Sequence, residues 1–267
     1  MSKKVLIGIG IVGILIVVGA TAYVLRPTAE ASAPIEAIPV AVEEPAAEES
    51  DSAAAEPAPV EDTAEMPAVE EKAEEEMPAG EAAAVVAPEG VIVFTIVQAE
   101  SEVRFTLDEL LNGAPKTVIG ATDQIAGEIA IDPTASANTE VGVILVNART
   151  FATDNNFRNR AINNTILETG KYEFVTFTPT DITGFPENPA LDEALEFQIS
   201  GDLTVRDITH PITFDVTVTA VSETRLEGSA SAMLARGDYG LQIPEVPRVA
   251  NVDEEVLLEI DFVAVKK

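Results

Sequence analysis

Ile212, Phe214, Val216 and Val218 alternate with Thr213, Asp215, Thr217 and Thr219, a period of two that an extended strand with one dry and one wet face satisfies and a helix does not. Val103, Phe105 and Leu107 alternate in the same way with Glu102, Arg104 and Thr106. Leu195, Phe197 and Ile199 carry the pattern through Gly201 to Leu203 and Val205, and Val256, Leu258, Ile260 and Phe262 repeat it near the C-terminus. Gly201 falls on the inward parity, where a missing side chain marks a bend or a close backbone approach. Further strands are expected at 91–98, 116–121, 124–131, 139–147, 172–180 and 224–234. Roughly ten short strands at this spacing predict an all-β, antiparallel barrel or sandwich.

One stretch breaks the alternation. From Asp154 to Ile166 polar residues surround Phe157, Ile162 and Ile166, which predicts a short helical crossing over one end of the barrel, with Thr153 or Asp154 as its N-cap.

The strand pattern occupies only residues 91–267, a length that encloses a sizeable core and holds all ten phenylalanines. This part carries 28 acidic and 12 basic side chains, a formal balance of −16, so nucleic acid and anionic headgroups are poor partners for its surface. The chain has no cysteine, which removes disulfides, a lipoprotein-type anchor, thiolate nucleophiles and cysteine metal sites. Its one histidine, His210, rules out multi-histidine metal centres and makes any Ser-His-Asp triad depend on that residue. His210 precedes Pro211, where extended backbone is favoured, and reads as a turn or strand start. No GxSxG elbow, P-loop, GxGxxG or EF-hand loop appears. Carboxylate pairs for glycoside chemistry are not decided by spacing, because they meet only in the fold. No catalytic residue, metal or cofactor is assigned, and the chain is read as a non-enzyme.

Ahead of the domain lie two segments of different character. Val5 to Leu25 is a run of 21 residues without a charge, roughly 31 Å of helix and enough for a bilayer's hydrocarbon core. Lys3 and Lys4 precede it and only Arg26 follows, which favours residues 1–4 in the cytoplasm and the rest outside. Ala20-Thr21-Ala22 resembles a signal-peptidase site, so a cleaved, secreted form is the alternative; either route exports the domain. Residues 27–90 hold 18 acidic side chains against Lys72 alone, nine prolines and no aromatic residue. The region 26–90 is therefore expected to be a disordered acidic linker, longer than the about 40 to 48 Å span of a flexible coil of its length.

A barrel of this size either fills its interior with side chains or encloses one small ligand, and alternation alone does not choose. Several motifs in order bear on the choice. Ser101-Glu102-Val103-Arg104-Phe105 resembles an opening S-x-V-x-F strand, and Gly120, Gly127-Glu128-Ile129 and Ile131-Asp132 a following G…G-x-I…D hairpin. Val143 to Asn147 and Thr150 to Arg160, with Thr153, Asn156, Phe157 and Arg158, resemble a strand and a T-x-N-x-x-R-D crossing; Tyr172 to Phe177 is similar to the strand after it. Gly201 to Val205 followed by Thr209-His210-Pro211 resembles a G-x-L-T…G-x-T-x-P-V element, and Arg236 to Leu241 a late R-x-D-F-G motif. Together they resemble the YceI-like family, polyisoprenoid-binding, lipocalin-like proteins of the bacterial envelope, over essentially all of 91–267. Asn159 stands where that family usually has Asp, Asp207 and Ile208 replace a glycine-containing turn, and Tyr239 replaces Phe.

The resemblance implies a lipocalin-like antiparallel barrel with an elongated apolar tunnel for an isoprenoid, a quinone-like lipid or a similar amphipathic ligand. On inward parity its lining would include Val103, Phe105, Leu107, Phe174, Phe197, Ile199, Phe214 and Val216, with Phe157, Arg158 and Tyr239 at the mouth. The expected function is a membrane-anchored extracytoplasmic protein that sequesters or transfers the lipid. The alternative is a ligand-free display or interaction module with a packed core.

Overall fold

The computed structural model describes residues 27–32, 34–40, 90–135, 138–186 and 189–267. The apolar run 5–25 and residues 41–89 of the expected linker lie outside the described residues. Among the described residues no helix is long and apolar enough to cross a membrane.

Strands β1 (Ile92–Ile96) and β2 (Glu102–Leu111) form one run interrupted by a 3-10 turn at Gln98–Glu100. The next run contains β3 (Ala114–Thr122), β4 (Ile125–Ala126) and β5 (Glu128–Ile131), and the one after it β6 (Glu140–Val141) and β7 (Ile144–Asn147). The longer strands follow: β8 (Phe174–Thr183), β9 (Ala194–Val205), β10 (Ile208–Ser222), β11 (Arg225–Ala235) and β13 (Glu255–Lys266), with the short β12 (Val249–Ala250) pairing only with β2. Every pairing is antiparallel, and in chain order each run pairs with the next. The last strand, β13, returns to pair with β1 and β2. The sheet thus curls until its last strand meets its first.

Turn chemistry explains part of this path. Asn112 and Gly113, both at positive φ (54° and 80°), make the two-residue connection between β2 and β3, the Asn-Gly hairpin whose twist matches its strands. Between β9 and β10 the left-handed residue is Arg206, φ 61°, in the turn where the family resemblance expects a glycine. Its guanidinium donates to the Ile166 carbonyl at 3.1 Å and lies 3.6 Å from Glu168, so the strained position is tied to the neighbouring loop.

Curvature comes from phenylalanines laid over glycines. Phe105 faces Gly120, and Phe262 faces Gly228, as direct cross-strand partners; the Phe177 ring covers Gly201 on the neighbouring strand. A side chain at any of the three would strike the ring above it. Gly201 is thus the close approach its parity announced.

The helical crossing is present, as α1 (Asn156–Ala161) and a π-helical turn at Ile162–Ile166. The cap differs from expectation. Asn155, neither Thr153 nor Asp154, accepts from the amides of Phe157 (2.8 Å) and Arg158 (3.2 Å). Thr153 instead donates through its hydroxyl (2.6 Å) and amide (2.8 Å) to Asn159 Oδ1, while Asp154 takes Lys116 and Arg158 as ion partners. Both oxygens are committed elsewhere, and the next residue does the capping. Asn155→Ala is expected to lower stability by about 1 kcal/mol, read from the midpoint of urea unfolding.

The interior holds two clusters. One gathers Phe94, Ile96, Ile125, Val146, Phe151, Leu195, Val218 and Leu226; the other gathers Phe177, Ile199, Leu203, Val205, Phe214, Leu234, Tyr239 and Val256. His210 lies in β10, its Nε2 donating to the Asp238 carbonyl at 3.0 Å, with its ring edge-on to Tyr239 at 5.2 Å. Burial, and then the Asp238 carboxylate beside it, push the Tyr239 phenol above its ordinary value.

The described part of the expected linker meets the domain at two 3-10 turns, at the residue before β8 and at β5. Glu30 O accepts from Arg149 Nη1 (3.0 Å), Ser32 donates from its amide and hydroxyl to Glu173 (both 2.6 Å), and Ile35 O accepts from Gln98 Nε2 (2.7 Å). Val40 N donates to Glu128 at 3.2 Å.

Candidate functional site

Between the strands lies a cavity of about 540 Å³. Its walls follow the parity of the alternating strands: Ile92, Phe94 and Ile96 from β1; Leu195, Phe197 and Ile199 from β9; Phe214, Val216 and Val218 from β10; Ile260 and Phe262 from β13. Ile125, Ile129 and Ile131 of β4 and β5 complete the barrel side, with Phe177 of β8. Phe185, from the loop after β8, reaches in to meet the Phe197 ring edge-on at 5.0 Å.

The polar residues of the lining are Thr139, Ser222, Glu223 and Lys266. They lie near the strand ends that also carry Ile92 and Ile131, together with Pro133, Pro189, Ala190 and Leu191 of the adjoining loops. Leu191 is 55% exposed, so the cavity reaches solvent at this rim. Thr139 Oγ1 is buried and makes no hydrogen bond within the described residues. Away from the rim the lining is hydrocarbon and aromatic carbon. Such a space takes up an apolar chain and leaves a polar end at the rim, because an unpaired polar group further in costs several kcal/mol of lost hydration.

Four of the eleven residues proposed from sequence line this cavity: Phe197, Ile199, Phe214 and Val216. Val103, Phe105 and Leu107 also face inward but pack within the clusters, Phe105 edge-on to Phe151 at 5.4 Å. Phe174 has the wrong parity: on β8 it is Phe177 that points in. Phe157 is 70% exposed on α1. Arg158 is held by Glu109 (2.7 Å) and Asp154 (2.6 Å), and Tyr239 is buried in the second cluster. The rim is therefore formed by other residues than Phe157, Arg158 and Tyr239. Phe94 and Phe262 were within reach of the sequence, since they share the parity of the strands they sit on. Phe185 carried no signal, because it comes from a loop.

Among the described residues no group of three His, Cys, Asp or Glu side chains is placed to hold a metal ion.

A profile of the YceI-like domain matches residues 94–264. The chain is similar in structure to a polyisoprenoid binding domain from Saccharophagus degradans implicated in plant cell wall breakdown, at 16% identity and a TM-score of 0.52, covering 65% of this chain and 98% of that one. It is also similar to BcnA of Burkholderia cenocepacia, at 18% identity and a TM-score of 0.49, covering 64% of this chain and 99% of that one. No curated protein matches the chain.

Proposed function

The chain belongs to the YceI-like domain family, and on that premise we propose that it is a membrane-anchored extracytoplasmic protein that binds an isoprenoid or similar amphipathic lipid and sequesters or transfers it without catalysis. The observation that carries this reading is the cavity: apolar throughout its depth, polar only at the rim, and at about 540 Å³ within the usual size of small-molecule sites. The Saccharophagus degradans protein of like fold is named for polyisoprenoid binding, which favours the same ligand class here. The anchor rests on the uncharged run from Val5 to Leu25.

Binding of this kind is dominated by apolar burial. Each methylene taken into the cavity contributes about 0.8 kcal/mol, or about fourfold in affinity. Affinity for a series of prenyl alcohols of increasing length is expected to rise steeply and then level off once the cavity is full. Native mass spectrometry of the full chain, released gently from membranes, should show a bound lipid at one per chain. Consistently empty protein, with affinities indifferent to chain length, would support the packed display module instead; the buried Leu203, Val205, Leu234, Tyr239 and Val256 of the second cluster, which lie outside the cavity lining, are the observation on that side.

A further inference from the structure

Residues 30–40 touch the domain at four places in succession: two 3-10 turns, the residue that precedes β8, and the first residue of β5. Arg149, Glu173, Gln98 and Glu128 meet Glu30, Ser32, Ile35 and Val40 in turn. Two of these partners are built for the contact. Glu128 is only 4% exposed, and its two carboxylate oxygens are taken by Val40 N and by Lys267 Nζ at 3.0 Å. Gly142, in the break between β6 and β7, leaves a notch that Val40 fills: a Cβ there would lie 2.7 Å from Val40 Cγ2. At Glu173 burial pushes the carboxyl up, but the Ser32 hydroxyl and amide, Asn147 and the Arg149 guanidinium outweigh it and hold the group below its ordinary value.

We propose that residues 30–40 are a latch, docking on the domain and thereby setting how far the domain stands from the membrane. Latched, Arg26 alone separates the end of the apolar run at Leu25 from the stretch that begins at Pro27 and leads into the docked contacts. Released, the whole of 27–90 becomes reach, about 40 to 48 Å or more. The contacts are few and mostly at the surface, so the latch opens without disturbing the strand ladders. The consequence for distance rests on the anchored reading above; the docking does not.

Proline at 32 and 40 removes both amide donors and the Ser32 hydroxyl while leaving the barrel's own residues intact. The test uses the full chain in phosphatidylcholine vesicles. The chain has no cysteine, so Ser229→Cys on the outer face of β11 takes a single donor dye, and acceptor-labelled headgroups report distance. In the unaltered chain, the amides of Ser32 and Val40 should exchange at least tenfold more slowly than the amides of residues 50–60. In S32P/V40P, which has no amide hydrogen at either position, energy transfer to the membrane should fall, with thermal unfolding of the barrel unchanged. Equal exchange of the two regions overturns the latch. Protection without any change in energy transfer overturns its control of distance. If the chain does not float with vesicles the anchor is refuted, and exchange alone still decides the docking.

Discussion

Replacing Arg158 by methionine is expected to destabilise the domain by about 3 to 5 kcal/mol, seen as a lower urea midpoint with an unchanged slope. Arg158 Nη2 lies 2.7 Å from Glu109 Oε1, and the Glu109 side chain is 6% exposed. The substitution keeps most of the aliphatic stem but leaves a buried carboxylate without its cation. The second contact of Arg158, to Asp154, is a surface pair with Asp154 58% exposed, and Asp154 keeps Lys116 at 2.8 Å; its loss contributes little. Changing both partners, E109L with R158M, removes the stranded charge and should recover most of the loss. Lipid affinity should be untouched. Glu109 lies on the part of β2 beyond Thr106, whose partner is Leu257 at the opposite end of β13 from the rim residue Lys266. A drop in lipid affinity matching the drop in stability would return Arg158 to the site.

Gly201→Ala is the second large effect, about 3 kcal/mol at the upper end of overpacking costs. A Cβ at this position would overlap the Thr178 carbonyl oxygen and lie 2.8 Å from Cε2 and Cζ of Phe177. The ring has room to turn, but a backbone carbonyl in a ladder does not. Adding Phe177→Leu should therefore restore only part of the stability. Full restoration, measured by thermal unfolding of the double variant, would show that the ring was the only obstacle. Because Phe177 also lines the cavity, the single variant should weaken lipid binding as well as folding.

The contrast between these two positions shows what a linear reading can reach. Gly201 announced itself: a glycine on the dry parity of an unbroken strand leaves a gap that a ring or a neighbouring backbone must fill. The strands of 195–205, 212–219 and 256–262 were legible from their alternation, and four cavity residues came with them. Phe174 and Phe177 show where periodicity stops. They are three positions apart, so only one points inward, and the Leu203 partner that settles it belongs to another strand. Arg158 is not in the lining of this cavity; a motif conveys that a residue matters without conveying to what, and its partner Glu109 is 49 positions away. Phe185 sits on a loop between β8 and β9, where no period operates. The linker was read from composition, which treats 27–90 as uniform, whereas Ser32, Ile35 and Val40 meet specific partners.

The order of strands also bears on how the molecule comes into being. Most ladders join consecutive runs, three of them through two-residue turns, and such local pairings close cheaply and early. The exceptions are the junctions of β13 with β1 and β2 and of β12 with β2, which bring together the two extremes of the domain. Assembly should therefore divide into a rapid zippering of hairpins and one slow, entropically costly seam. Substitutions along β13, at Ile260 or Phe262, ought to retard folding far more than equally destabilising substitutions in the β9–β10 hairpin. The hollow has no existence before that seam forms, since Phe94 and Phe262 stand on opposite sides of it.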